Sequence, residues 1–235
     1  MSLTDEVVVI GHRGAAGLVA ENTLPSFRRA FACAVSAVEL DVYLVQGELV
    51  VIHDNTLERT TNGVGPVMAQ TLEALRTLDA GGGAPVPLLA EVAAELPAGT
   101  GLNIELKGPG TATPTADFLA RYPELDVLVS SFDHRQLRLF RQHDPRTRVA
   151  PLYNRWRAGV WRTAAALDAW AVNLSRRIVT PARLMAAAQR GLRTFVYTVN
   201  DLEEARTLIT LGAVGIFTDY PDRITPAALT ARAPD

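Results

Sequence analysis

Short apolar, β-branched runs recur along the whole chain, at 7–10, 37–42, 49–52, 102–106, 127–129, 149–152, 169–174, 194–199 and 214–217. Between most of them lie stretches in which apolar residues return every three or four positions, at 24–34, 134–142, 181–190 and 202–211. The first pattern marks strands and the second amphipathic helices. Gly191 and Gly212 follow the last apolar position of two helical stretches, as helix stops do. Thr23 or Asn22 ahead of Leu24-Pro25 makes a helix start with proline in the first turn. Repeating strand–helix units predict a parallel sheet covered by helices. About eight such units suit a TIM-type (β/α)8 barrel. An open doubly wound sheet is the competitor, and the lack of G-x-G-x-x-G after the first run counts against its dinucleotide-binding form.

Nine runs are one more than a barrel of eight strands uses. The surplus falls at 37–54, where two runs are joined only by Val45-Gln46-Gly47-Glu48. No crossover helix fits there, so the two strands form an antiparallel hairpin that extends the second strand. A turn at Gln46-Gly47 returns His53 to the level of Leu40 or Asp41. The stretch 55–87 breaks the alternation, with Gly81-Gly82-Gly83 near its end and one short helical piece at 71–78. It reads as a small inserted segment within a single domain spanning 1–235.

Composition narrows the setting. The chain is 48% hydrophobic with a formal charge of −2, which leaves no electrostatic footprint for nucleic acid. No apolar run reaches membrane-spanning length, so no stable membrane insertion is expected, and the first residues carry no secretory pattern. A single cysteine, Cys33, fits a reducing compartment, so the expected location is cytoplasmic. The oligomeric state is not written in the sequence. Of 23 basic residues 22 are arginine, and Lys107 is the sole lysine. In a chain so biased towards arginine, a retained lysine marks a place that wants a compact ammonium.

The polar residues that interrupt or end the strands are the candidates for chemistry. Glu39 and Asp41 lie two apart on one strand, so both carboxylates share a face of an otherwise apolar segment. Buried together they would repel, and a divalent cation removes the conflict; Glu105 on a later strand can add a third oxygen. An all-carboxylate set favours Mg²⁺ or Ca²⁺ over zinc. The competing reading is a set of ion pairs with Arg13 and Lys107. His12 and His53 end strands at the same predicted mouth, where two imidazoles serve as general acid and base near neutral pH, or else simply pack. Arg13 and Lys107 add positive charge suited to a phosphate. Glu21-Asn22-Thr23 reads either as a helix start alone, with Thr23 as the cap, or as a start in which Glu21 or Asn22 also orients a histidine. Asp133 and Asp219 read as loop or cap residues, His134 and His143 as surface residues of a helix, and Trp156 and Trp161 as packing.

The ordered motifs carry a resemblance. They are Gly11-His12-Arg13-Gly14, Glu21-Asn22-Thr23, Glu39-Leu40-Asp41-Val42, His53-Asp54 with Arg59-Thr60-Thr61, and Asn103-Ile104-Glu105-Leu106-Lys107. Later come Ser130-Ser131-Phe132-Asp133, Tyr197-Thr198-Val199-Asn200 and Thr218-Asp219-Tyr220-Pro221. Together they resemble the glycerophosphodiester phosphodiesterase family over about 9–221. The resemblance implies a TIM-type barrel with a small insertion, and one divalent ion on Glu39, Asp41 and Glu105. It implies an acid–base pair of His12 and His53, and Arg13 and Lys107 on the phosphoryl oxygens. The implied reaction is hydrolysis of a small-molecule glycerophosphodiester to glycerol 3-phosphate and an alcohol, with lysophospholipase D-like cleavage of lyso-lipids as the alternative. The family usually carries Trp where Tyr197 stands, which bears on the shape of the alcohol pocket, and 86–91 is a loose version of its Pro-Thr-Leu-Glu-Glu run.

Overall fold

The structure is a computed structural model and describes residues 2–230. Among these, the apolar runs form β1 (Val8–Gly11), β2 (Ala37–Val45), β3 (Glu48–Val51), β4 (Gly101–Leu106), β5 (Val127–Ser131), β6 (Arg148–Tyr153), β7 (Ala171–Ser175), β8 (Arg193–Tyr197) and β9 (Gly215–Thr218). Eight of them pair in parallel in the order β1-β9-β8-β7-β6-β5-β4-β2, and a β1–β2 pairing closes the ring. The ninth, β3, runs antiparallel to β2, with Val42 opposite Val51. That register sets His53 level with Leu40, as the hairpin spacing predicts. The fold is therefore the (β/α)8 barrel, with helices between its strands and one extra strand.

The two-residue period sorts side chains into inside and outside. Outward residues such as Val9, Leu40, Val129, Val196 and Ile216 pack against Phe27, Leu137, Phe140 and Leu184 of the surrounding helices. Inward residues Val8, Ile10, Ala37, Leu128, Ala150, Ala171, Phe195 and Phe217 form a second apolar cluster that plugs the barrel. Nearer the strand C-termini the inner wall turns polar. Glu39 lies opposite Asn103, and Asp41 opposite Glu105, which lies opposite Ser130. Across the barrel, Asn173 sits between Leu152 and Phe195.

Between β3 and β4 the chain forms a 3₁₀ turn, Val67–Ala69, and helices Leu72–Thr77 and Leu89–Glu95. Leu57, Val67, Leu75 and Val86 pack on Tyr43, Val45, Val50 and Ile52 of the hairpin as a separate apolar cluster. Helix Ala112–Ala120 has no counterpart in the sequence pattern. It contains Pro114 and two threonines, poor helix formers, but proline is tolerated in a first turn. Burial of Ala112, Ala116, Phe118 and Leu119 outweighs the weak propensity. No helix of the described residues is long and apolar enough to cross a membrane.

Candidate active site

The candidate residues converge where the strands end. After β1 the chain turns sharply through Gly11-His12-Arg13-Gly14. A Cβ on Gly11 would lie 2.4 Å from the Gly14 carbonyl oxygen, so only glycine fits. Arg13 and Asn22 both hold left-handed φ angles, 51° and 55°, which side chains other than glycine rarely adopt. Local conformational cost of this kind gathers where geometry serves function. Here the turn aims the Arg13 amide at Glu39 Oε2, 2.9 Å away.

Glu39, Asp41 and Glu105 are buried and offer oxygens that all lie within 4.8 Å of one another. Burial, reinforced by the charges of Asp41 and Glu105, pushes the Glu39 carboxyl well above its ordinary range. Burial and the Asp41 charge lift Glu105 to about 7, against the pull of Lys107. Asp41 Oδ1 is buried with no hydrogen-bond partner in the protein. Three close acceptor-only groups, one with an orphaned oxygen, fit a hard divalent cation. The ion-pair reading is also met. Lys107 Nζ lies 2.9 Å from Glu105 Oε1 and 3.6 Å from Asp41 Oδ1, and Arg13 Nε lies 3.4 Å from Asp41 Oδ2. Desolvation works to lower the Lys107 pKa, but Glu105 and Asp41 raise it above the ordinary value.

Each histidine at the mouth is backed by a carboxylate. His12 Nδ1 lies 2.7 Å from Asp219 Oδ1, and His53 Nδ1 lies 2.6 Å from Asp54 Oδ1. An ionised carboxylate only accepts, so Nδ1 carries the proton in the neutral ring and Nε2 is left as an acceptor. His53 Nε2 lies 3.1 Å from Lys107 Nζ, an ammonium that donates to it. Burial, set against the attraction of Asp41, lowers the His53 pKa and keeps this ring neutral. The carboxylates are themselves held, Asp219 by the Asn200 amide at 2.7 Å and Asp54 by the Arg59 guanidinium at 2.5 Å.

Glu21 and Asn22, open in the sequence between a helix start and a histidine's support, bond to other side chains. Glu21 bridges Arg13 and Arg59 at 2.8 and 2.7 Å, and Asn22 donates to Asp41 Oδ2 at 2.9 Å. Burial alone would raise the Glu21 carboxyl, but hydrogen bonds from Arg59 and Arg13 hold it at about 2. Arg59 thereby connects the inserted segment to both Glu21 and Asp54. Asp219, read from sequence as a loop or cap residue, is instead the partner of His12. His134, at the start of the helix that the spacing predicts, is a half-buried histidine with Nε2 3.2 Å from the Leu152 carbonyl oxygen. Thr23 and Asp133 cap helices Leu24–Ala32 and His134–His143. Trp156 and Trp161 pack edge to face, with their ring centroids 5.3 Å apart.

His12, Arg13, Glu39, His53 and Glu105 line one wall of a cavity of about 310 Å³ in the barrel mouth. Asn103, Ser130, Phe132, Asn173 and Tyr197 line the rest. Tyr197 meets Phe132 and Phe217 edge-on, 6.0 and 6.3 Å between centroids. Phe132, Asn103 and Asn173 escape a search for charged motifs, but inward parity on their strands would have marked the two asparagines. A hollow of about 380 Å³ at the opposite face, beside Tyr122 and Arg146, gathers no comparable set. The mouth can hold a cation, neutralise an anion and move protons at two imidazole nitrogens.

Comparison with known proteins agrees with this geometry. Residues 12–223 match the model of the glycerophosphoryl diester phosphodiesterase family. A glycerophosphodiester phosphodiesterase of Caldanaerobacter subterraneus subsp. tengcongensis is 34% identical over 234 residues, covering 93% of this chain and 96% of that protein. One from Bacillus altitudinis is 34% identical over 235 residues, covering 92% and 95%. Among solved structures, an Oleispira antarctica phosphodiesterase in complex with the product sn-glycerol-3-phosphate superposes with a TM-score of 0.88. It is 28% identical, with 95% of this chain and 97% of that one covered.

Proposed function

The chain belongs to the glycerophosphoryl diester phosphodiesterase family, and on that premise we propose that it hydrolyses glycerophosphodiesters to glycerol 3-phosphate and an alcohol, with His12 and His53 as the acid–base pair. The observation that carries this reading is the meeting, at one barrel mouth, of three buried carboxylates with two carboxylate-backed histidines. Glu39, Asp41 and Glu105 would hold the Mg²⁺ or Ca²⁺, which supplies charge neutralisation to the phosphoryl group.

The chain's own residues do the rest. Arg13 and Lys107 are kept cationic by the neighbouring acids and face the same anion, stabilising the charge that grows on phosphoryl oxygens in the transition state. One histidine, through Nε2, takes the proton of the attacking oxygen, from water or from the substrate's own glyceryl hydroxyl. The other, entering as the imidazolium with a second proton on Nε2, gives that proton to the departing alcohol. Asp54 and Asp219 hold the Nδ1 protons and so leave each Nε2 for these transfers, that of His53 once Lys107 turns from it to the phosphoryl group. The wall of Phe132 and Tyr197 contacts the carbon skeleton.

The deciding experiment follows glycerol 3-phosphate release from glycerophosphocholine and glycerophosphoethanolamine with EDTA, Mg²⁺ or Ca²⁺. Release that EDTA abolishes and one of the ions restores is expected. Choline release from lysophosphatidylcholine, with none from glycerophosphocholine, would replace this reading by the lysophospholipase D one.

A further inference from the structure

The barrel interior changes character at one level. Below it lies the apolar plug, and in register beside Leu128 and Phe195, on the neighbouring strands, stand Asn103 and Asn173, 1% and 0% exposed. Asn103 Nδ2 donates to Ser130 Oγ at 2.9 Å, but its Oδ1 has no partner in the protein. Asn173 has none for either Oδ1 or Nδ2, and the Tyr197 hydroxyl is likewise buried and unpaired. Four orphaned polar atoms therefore surround the floor of a cavity that Asn103, Asn173 and Tyr197 all line.

A buried amide without partners costs about 1–3 kcal/mol for each unsatisfied group, and folded proteins keep few of them. An apolar residue at 173 would continue the plug at no such cost. An amide there presents one acceptor and two donor hydrogens side by side, the complement of a hydroxyl, which both accepts and donates. The opposite wall, with Arg13 and Lys107, takes the phosphoryl group, so what reaches the floor is the carbon skeleton attached to it.

We infer that Asn173 is a specificity-determining residue that reads a hydroxyl of the three-carbon polyol bonded to the phosphoryl group, in a cavity that Asn103 and Tyr197 also line. The inference rests on the proposed glycerophosphodiester reading and names the side chain that would tell a free hydroxyl from an esterified or missing one. An alkyl chain at the floor pairs neither amide atom, and an ester oxygen accepts from Nδ2 but offers no donor to Oδ1. A site built to hydrogen-bond a hydroxyl rejects the analogue lacking it far more strongly than an apolar site rejects an added one.

The test is equilibrium binding, by calorimetry with Mg²⁺ and with Ca²⁺, of glycerol 3-phosphate, propyl phosphate and inorganic phosphate. The wild type is expected to favour glycerol 3-phosphate over propyl phosphate by roughly 10- to 100-fold, as one or two neutral hydrogen bonds allow. In Asn173→Leu and in Asn173→Ala that ratio falls to roughly 1–3 on the same reasoning, while affinity for inorganic phosphate is unchanged. Asn173→Leu, which removes two unsatisfied atoms and keeps the branched shape with its added bulk turned to the cavity, is expected to melt no lower than the wild type. A wild type without preference, or variants that keep it, overturns the inference. So does an equal loss of all three ligands, which would mark a structural role. Glycerol 3-phosphate release from glycerophosphocholine is measured in parallel. Its absence removes the underlying reading, whereas release with an undiminished ratio in both variants removes only the role of Asn173.

Discussion

A histidine acts as acid or base only if one nitrogen is presented to the substrate and the other is tied down. Asp54 ties His53 from the next position in the chain, and Asp219 ties His12 from 207 residues away. Alanine at either histidine is expected to lower turnover roughly 10²–10⁴-fold, with the melting temperature near that of the wild type; full activity would remove that residue from the mechanism. Asp219→Asn tests the support separately. The amide keeps its size and can still reach Asn200, but it no longer dictates which His12 nitrogen is protonated. Turnover should fall roughly 10- to 100-fold, the scale of losing a residue that orients an imidazole, with metal affinity measured by calorimetry unchanged. A loss of metal binding instead would place Asp219 among the groups that shape the carboxylate cluster. At this scale Glu39, Asp41 and Glu105 were legible because carboxylates on apolar strands are anomalous. The role of Asp219 was not, because it arises from barrel closure, which sets β9 beside β1 and leaves no local trace in Thr218-Asp219-Tyr220.

The hairpin of β2 and β3 carries His53 to the mouth, and its turn sets the register. Gln46 and Gly47 hold φ of 51° and 88°, the left-handed pair that matches strand twist in a two-residue turn. A Cβ on Gly47 meets nothing within 4 Å, so Gly47→Ala meets only backbone strain. It is expected to destabilise the fold by about 1–2 kcal/mol in urea unfolding while KM and turnover stay as they were. Gly11→Ala makes the contrast, because its Cβ collides with the Gly14 carbonyl in the turn that aims His12 and Arg13. It should reduce activity by more than its loss of stability explains. Equal functional loss in both variants would show that the hairpin turn, too, feeds the site. The hairpin could be read in advance because four residues leave no room for a crossover. Helices Ala112–Ala120 and Val160–Ala166 escaped notice because burial against the barrel, not propensity, forms them. The apolar contacts of 55–87 with the hairpin were equally hidden, since they depend on which face of β2 turns outward beyond the barrel rim.

At the scale of the whole molecule, barrel closure forces like charges together, and the stability of the metal-free protein should record it. The folded chain holds Glu105 at about 7 and Glu39 well above its ordinary range, chiefly through burial and then through mutual repulsion. In the unfolded chain both titrate near the ordinary 4.5. Between these limits the folded state binds more protons than the unfolded one, so stability falls as pH rises from about 4.5 to about 7. The depressed carboxyls act in the opposite direction and in a lower window: the stability from Glu21, held at about 2, is complete above its ordinary 4.5 and lost on further acidification. A divalent cation binds the ionised cluster, so its stabilisation of the fold grows as those protons leave. The gap in melting temperature between cation-loaded and EDTA-treated protein is therefore expected to be small at pH 5 and clearly larger at pH 8. The change should come mainly from a falling EDTA-treated curve. A gap of equal size at both values, or no effect of EDTA at either, would mean that the three acids are satisfied by Arg13 and Lys107 alone. Glu39→Gln provides the internal check. Removing one charge should raise the stability of the EDTA-treated protein at pH 8 and weaken its response to Mg²⁺ and Ca²⁺, a combination that damage to the fold cannot produce.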